Sequence, residues 1–228
     1  MADEIDVLRR EVCALHAELP RNGLVAWTSG NLSARVPGEE LMVIKASGVS
    51  YDNLTPEAIV VCDLHGTLVE GDLAPSSDAA THGYIYRHTD AGGIVHTHST
   101  YASAWAARDE AIPCVLTGMA DEFGGEIPVG PFALIGDDSI GRGIVEILRG
   151  SRSRAVLMAA HGPFTVGRHA RDAVKAAVML EDVARTVHVA RQLGEPAKIA
   201  PADVTSLFER YQNVYGQNIT DVEGQEPT

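Results

Sequence analysis

Two histidines separated by a single threonine occur in the stretch IVHTHS, at positions 94 to 99. In an extended strand, residues i and i+2 point to the same face, so His96 and His98 can converge on one point. Burying two imidazoles in an apolar strand is costly unless each finds a partner, and one shared metal ion would be such a partner. The pair therefore indicates two ligands of a metal site, although spacing alone leaves two ordinary polar residues equally open.

A third candidate ligand, His161, stands in AAHGPF, where an apolar run is followed by Gly162. That glycine would let another segment of backbone approach closely, and a catalytic zinc typically has three protein ligands and one open position. Asp78, in PSSD, could add a carboxylate that partly neutralises a dication. Isolated histidines are more often structural than ligating. We therefore assign to the surface or to helices His16, His65, His88, His169 and His188.

The composition is that of an acidic globular protein. The chain has 228 residues, of which 45% are hydrophobic and 21% charged, and a net charge of −13, which suits a domain with a substantial core. The acidic balance argues against nucleic acid or an anionic membrane as a partner. No apolar run approaches the roughly 20 residues of a membrane span, and the N-terminus does not resemble a signal peptide. Three widely spaced cysteines suit reduced thiols, so we expect a soluble cytoplasmic protein.

Hydrophobic periodicity predicts alternating helices and strands without a flexible linker or an internal repeat. We expect one α/β domain over residues 1–217 and a disordered tail over 218–228. The predicted helices are 5–19, one that starts after PSSD with Ser and Asp as caps, 101–108, 138–149, 170–193 and 201–211. The predicted strands are 32–36, 41–45, 58–63, 93–98, 114–117, 127–132 and 155–160.

Five motifs, in this order, resemble the class II aldolase and epimerase family, which also includes the adducin head domain: GNLSAR, IKASGV, PSSDAATH, GGIVHTHS and HGPF. The resemblance runs from about residue 5 to Gln217 and is closest to the L-ribulose-5-phosphate 4-epimerases. It implies a single-domain, three-layer α/β/α sandwich around a largely antiparallel sheet. It also implies a C4 homotetramer with active sites at subunit interfaces, a phosphorylated ketose as substrate, and a zinc cofactor, with Mn²⁺ or Co²⁺ as alternatives.

The resemblance assigns roles to individual residues of this sequence. The metal-binding histidines of the family match His96, His98 and His161, and its acidic position beside the metal matches Asp78. The pocket for the phosphate and polar groups of the substrate matches Asn31, Lys45, Ser47, Gly48, Ser76 and Ser77, and a further position near the epimerase site matches Thr117. A Ser-Gly turn and two hydroxyls before a helix N-terminus suit an anion. Without the family, the same serines would be interpreted as caps and turn residues.

Two reactions share the first step that the resemblance implies. Zinc stabilises the negative charge that forms when the C3–C4 bond of a ketose breaks; an aldolase then releases the aldehyde, whereas an epimerase turns it over and rejoins it with inverted C4. An epimerase therefore needs an acid/base group on each side of C4. The two epimerase groups match Asp121, in TGMADEFGGEIP, and Tyr215, in NVYGQ. The tyrosine would come from the adjacent subunit.

We predict a zinc-dependent 4-epimerase that acts on a phosphopentulose, of the L-ribulose 5-phosphate to D-xylulose 5-phosphate type. The segment 130–142 is shorter than in the epimerases, and Met119 stands where they have histidine. The first alternative is therefore a class II aldolase of the L-fuculose-1-phosphate type. The second is a non-catalytic scaffold like the adducin head, which lacks the zinc site.

Overall fold

An eight-stranded sheet forms the centre of the computed structural model, which describes residues 2–214. The strands are β1 Asn31–Arg35, β2 Leu41–Lys45, β3 Ile59–Asp63, β4 Leu68–Glu70, β5 Gly93–His96, β6 Val129–Gly130, β7 Ala155–Met158 and β8 Gly162–Gly167. They lie in the order β4-β3-β2-β1-β5-β8-β7-β6, and every pairing is antiparallel except that of β6 with β7. The largely antiparallel sheet implied by the resemblance is confirmed.

Helices cover both faces of this sheet. Within residues 2–214 they are α1 Ala2–His16, α2 Glu18–Arg21, α3 Ala79–His88, α4 Thr100–Ala107, α5 Thr117–Phe123, α6 Ser139–Arg149, α7 Ala170–Leu193 and α8 Pro201–Val214. Helices α3 and α6 pack on one face, and α1, α4, α5, α7 and α8 form the layer on the other. The result is a single-domain, three-layer α/β/α sandwich. Among the described residues, no helix combines the length and apolar character of a bilayer span.

Side chains that alternate along each strand contribute to both layers of the core. In β5, Ile94 belongs to the apolar cluster under α3 and α6, whereas Val95 packs in the cluster under α1 and α7. His96 therefore shares the face of Ile94, on the side of α3. Because both faces of the sheet are buried, its central strands are apolar almost throughout, and polar residues within them are conspicuous.

Most predicted elements are confirmed within a few residues, and the predicted helix 170–193 and strand 41–45 match α7 and β2. The predicted strand 114–117 is wrong, since α5 starts at residue 117 and no strand precedes it there. The predicted strand 127–132 shortens to β6. Strand β8 was not predicted at all, because Gly162, Pro163 and Gly167 are weak strand formers. The predicted tail 218–228 and the domain boundary at 217 lie outside the described residues.

A buried histidine connects α1 to β1. The Nδ1 of His16 donates to the carbonyl of Val12 at 2.7 Å, and its Nε2 accepts the backbone N–H of Leu32 at 3.1 Å. The residue lies on a helix, as predicted, but it is fully buried rather than at the surface. Burial lowers its pKa from 6.5 to about 4, although the bond to Val12 acts in the opposite direction. His16 is therefore a neutral structural link to the strand that carries Asn31.

We expect His16 to make folding stability depend on pH. Its pKa is 6.5 in a model environment and about 4 in the fold, so its contribution is complete above pH 6.5 and is lost as the pH falls towards 4. The loss amounts to about 3 kcal/mol. His16→Gln keeps a donor and an acceptor but does not titrate. Its free energy of unfolding, measured by denaturant titration at neutral and mildly acidic pH, should fall less than that of the unmodified protein; equal falls would contradict this assignment.

Candidate metal centre

Three imidazoles meet at one end of the sheet. His96 is the last residue of β5, His98 follows just before α4, and His161 lies in the turn between β7 and β8. One nitrogen from each lies within 4.8 Å of the other two, and the Nε2 atoms of His96 and His98 are 2.9 Å apart. Nitrogens that share a tetrahedral zinc at about 2.0–2.1 Å are roughly 3.3 Å apart. The structure therefore brings the three predicted ligands together at a spacing that fits one ion.

The orientation of His96 is fixed by β8, the strand that the sequence did not predict. Its Nδ1 donates to the carbonyl of Pro163 at 3.0 Å, and its ring stacks on Phe164 with the centroids 4.2 Å apart. A carbonyl can only accept, so the proton sits on Nδ1 and the lone pair of Nε2 faces the cluster. This outer hydrogen bond is the arrangement that orients metal-bound histidines in general.

The turn that carries His161 approaches the HTH segment closely. A Cβ at Gly162 would lie 2.8 Å from the carbonyl oxygen of Thr97, so only glycine fits there, as the sequence indicated. Ala160 has a φ of 54°, a left-handed conformation that costs free energy in a residue with a side chain. The Nδ1 of His161 is buried and has no hydrogen-bond partner among the described residues. This orphaned nitrogen is a second observation that fits a metal ligand.

Asp78 holds the N-cap position of α3, but its side chain does not cap that helix. Its Oδ2 instead accepts the Nδ2–H of Asn31 at 2.7 Å, and the residue is only 5% exposed. The cap role that the PSSD pattern indicated is therefore wrong for this side chain. Burial tends to raise the pKa of Asp78, but nearby His96 and His82 hold it below its usual value. Asp78 lies outside the set of three mutually close donors and lines the same cavity as they do.

The electrostatics favour a cation at this point. Burial lowers the pKa of His96 and of His161, although the carboxylate of Asp78 acts in the opposite direction. Both imidazoles are therefore neutral at pH 7, which is the form that binds metals. Three neutral nitrogen donors beside one buried carboxylate fit a dication better than they fit one another.

A cavity of about 280 Å³ opens beside the histidines. Its lining includes all the residues predicted to contact substrate except Thr117: Asn31, Lys45, Ser47, Gly48, Ser76 and Ser77. Thr28, Ser29 and Ile135 also line it and were not predicted. The metal residues and the predicted phosphate residues therefore share one small cavity.

The end of the cavity away from the histidines suits an anion. Lys45 is only 2% exposed, and its Nζ lies 3.3 Å from the carbonyl oxygen of Ala46 and 5.4 Å from the centre of the Tyr51 ring. Burial lowers its pKa, so an anionic ligand would favour the charged form. The amide of Ser47 already donates to Ala74 at 2.9 Å. The hydroxyl of Ser47 and the backbone of Gly48 therefore remain for a ligand at this turn.

The predicted acid/base pair is not assembled within one chain. Thr117 and Asp121 lie on α5 and are absent from the cavity lining. An Oδ1 of Asp121 is 3.6 Å from a guanidinium nitrogen of Arg210 on α8. Tyr215 lies outside the residues that the structure describes. These three residues therefore lack the support that geometry gives to the metal ligands.

A buried network behind the metal residues was missed in the sequence. The Nδ1 of His82 is 2.7 Å from the hydroxyl of Ser33, which is also 2.7 Å from that of Tyr86. His82 stands four residues after Asp78, which places both on one side of the start of α3. That i, i+4 spacing was the available signal, and nothing in β1 indicated that Ser33 would meet it.

Glu181 of α7 supports the segment that carries His98. Its two oxygens accept the backbone N–H groups of Tyr101 at 2.8 Å and Ala102 at 2.9 Å. These donors belong to the first turn of α4, whose N-cap residue, Ser99, makes no side-chain cap. A carboxylate from about 80 residues away in the chain therefore satisfies helix-terminal donors that a local cap normally satisfies.

Comparisons with known proteins agree with this arrangement. The chain is 39% identical over 225 residues to L-ribulose-5-phosphate 4-epimerase UlaF of Salmonella paratyphi B (strain ATCC BAA-1250 / SPB7), covering 92% of this chain and 96% of that protein. An L-fuculose 1-phosphate aldolase is similar in structure, with a TM-score of 0.84, 28% identity, and 90% and 96% of the two chains covered. For the L-fuculose-1-phosphate aldolase of Thermus thermophilus, the corresponding values are 0.67, 29%, and 86% and 99%. A model of the class II aldolase and adducin N-terminal domain matches residues 10–188, and the chain belongs to this family.

Proposed function

We propose that this protein is a metal-dependent 4-epimerase that converts a phosphopentulose of the L-ribulose 5-phosphate type to one of the D-xylulose 5-phosphate type. The reaction would break and remake the C3–C4 bond. The observation that carries the proposal is the convergence of three imidazole donors beside a cavity with a buried lysine. The 39% identity to a 4-epimerase, over nearly all of both chains, favours epimerisation over aldol cleavage.

Zinc is the ion we propose, because three imidazoles and an open position are typical of catalytic zinc; Mn²⁺ or Co²⁺ would use the same donors. His96, His98 and His161 would hold it, and Asp78 would balance part of its charge. A divalent cation bound there would act as a Lewis acid that stabilises the negative charge left when the C3–C4 bond breaks.

The phosphate pocket would keep the aldehyde in place. In a ketopentose 5-phosphate, the phosphate lies on the two-carbon fragment that becomes the aldehyde. Lys45, with the hydroxyls of Ser47, Ser76 and Ser77, would hold that phosphate at the N-terminal end of α3. An anchored aldehyde can turn over and rejoin without being released. In L-fuculose 1-phosphate the phosphate lies on the other fragment, and the aldehyde is free to leave.

The two acid/base groups would be supplied across subunit boundaries in a homotetramer. Asp121 and Thr117 are remote from the cavity of their own chain, which supports a role at a neighbouring one. Phe132, Leu134 and Ile135 are exposed by 63%, 73% and 56% at the mouth of the cavity, and such apolar patches mark protein interfaces. In this arrangement, Asp121 and Tyr215 would exchange a proton with the C4 oxygen on its two sides.

The alternatives are weaker for specific reasons. An aldolase of the L-fuculose-1-phosphate type is the second candidate, because its solved relatives share this fold at 28% and 29% identity. A non-catalytic scaffold would have no use for three convergent histidines and a buried Asp78. The unpaired state of the three cysteines supports the cytoplasm as the proposed compartment.

Product analysis separates these functions. Zinc-loaded protein given L-ribulose 5-phosphate should form D-xylulose 5-phosphate with little free glycolaldehyde phosphate, as followed by NMR. Chelator-treated protein and His96→Ala should form neither product, because the charge formed on cleavage is no longer stabilised. Accumulation of glycolaldehyde phosphate and dihydroxyacetone would favour the aldolase. A zinc-bound protein inert towards a panel of phosphoketoses would favour the scaffold.

Replacing Asp121 tests the acid/base assignment. We expect Asp121→Asn to lower kcat for epimerisation about 10²- to 10⁴-fold, because one of the two proton transfers loses its group. Metal content, measured by atomic absorption, should not change. Glu126→Gln, an exposed change just after α5, serves as a matched control. Unchanged turnover in Asp121→Asn would remove this residue from the mechanism.

The contacts of Glu181 predict an effect on metal affinity. Glu181→Ala leaves two amides of α4 without their acceptors and frees the segment after His98, so the Kd for zinc should rise about tenfold. Glu181→Gln, which keeps one acceptor, should lie between the two. Asp182→Asn is the control, since Asp182 is an exposed neighbour on the same helix. Competition with a chelating dye measures the Kd, and identical values for all four proteins would contradict the expectation.

A further inference from the structure

Two adjoining cavities form a groove at the end of the sheet opposite the metal centre. They share Thr89, Asp90 and Arg149 in their linings. The first has a volume of about 410 Å³ and lies where β8 ends, against the residues that precede β5 and those that follow α6. Strand β5 starts beside this groove and ends at His96. The groove is therefore separate from the proposed catalytic cavity, with which it shares no lining residue.

The groove concentrates positive charge in a protein whose net charge is −13. Five of the 18 basic residues line it: Arg35, Arg87, Arg149, Arg154 and Arg168. The acidic residues in the same linings are Glu40 and Asp90. Guanidinium groups present planar sets of donors that match phosphate oxygens in pairs. We will call this surface the arginine groove.

Several of these arginines lack a carboxylate partner. Arg35 pairs with Glu40 at 3.0 Å, and Arg168 pairs with Asp172 at 3.1 Å. Arg154 donates only to a neutral side chain, that of Gln212 at 2.8 Å on α8.

For the remaining two arginines, the structure gives even less compensation. Arg149 has no ion pair or hydrogen bond to any residue between 2 and 214. The Nη1 of Arg87 is buried without a hydrogen-bond partner among the same residues, while its guanidinium faces the ring of Tyr84 at 5.5 Å. A buried donor left unpaired costs free energy that a ligand oxygen would recover.

We propose that the arginine groove binds the phosphate group of a small phosphorylated metabolite. Its first cavity lies within the roughly 300–1,000 Å³ typical of small-molecule sites. The walls between the arginines are apolar, from Ala91, Leu148 and Val166, so a carbon skeleton would be accommodated beside the phosphate. This site is independent of the proposed epimerase activity, because none of its residues belongs to the catalytic cavity.

Equilibrium dialysis with radiolabelled inorganic phosphate at low ionic strength tests the proposal. The unmodified protein should bind two phosphates per chain, one of which is lost in Lys45→Met, where the catalytic cavity loses its cation. The double variant Arg149→Gln/Arg154→Gln should lose the other, with at least a tenfold rise in its Kd. Arg108→Gln removes the same charge from an exposed site paired with Glu110 and should keep both.

Circular dichroism and unchanged turnover would show that the double variant folds, since both arginines lie away from the catalytic cavity. A second probe, adenosine monophosphate, should displace phosphate from the groove if the ligand carries a carbon skeleton. Failure to displace it would overturn that part of the proposal and leave free phosphate as the ligand. A single phosphate per chain, abolished by Lys45→Met and unaffected by the double variant, would overturn the site altogether.

Discussion

Buried nitrogen lone pairs that face one another are the constraint on which this molecule depends. The Nε2 atoms of His96 and His98 can share only one proton, and the Nδ1 of His161 has no partner among the residues that the structure describes. Protonating these imidazoles does not relieve the problem, because burial disfavours the charged form. A dication satisfies all three donors at once and compensates Asp78 as well. The arrangement is therefore an unfavourable one for a structure alone and a favourable one for a metal site.

Strand register converts three distant segments into this cluster. In the sheet, β1, β5 and β8 are neighbours, and His96 lies directly opposite Asn31 on one side and Phe164 on the other. A slip of one residue in β5 would turn His96 to the α7 face and bring Val95 to the cavity. The apolar clusters on the two faces prevent that slip, since Ile94 and Val95 would also exchange layers. The packing of the core thus fixes the position of the ligand.

The sequence predicted what depends on local period and missed what depends on long-range approach. The HTH pair followed from the two-residue repeat of a strand, and the helices followed from their apolar spacing. Strand β8 escaped because Pro163 and its glycines are poor strand formers; the close approach of Thr97 explains the glycine at 162. Asp78 was expected both as a cap and as a ligand, and local pattern could not decide between them. Glu181 could not have been found, because its partners lie about 80 residues away in the chain.

The position of each group explains how one fold can serve related reactions. The metal donors and the phosphate residues come from strands and strand ends inside one chain, where packing holds them rigidly. Asp121 stands instead on a short helix outside that cavity, where a substitution changes the proton transfers without disturbing the binding of metal or phosphate. Cleavage needs only the first set, whereas inversion at C4 needs both. A change of reaction within this fold therefore requires changes at the outer helices, while the sheet and its three histidines stay the same.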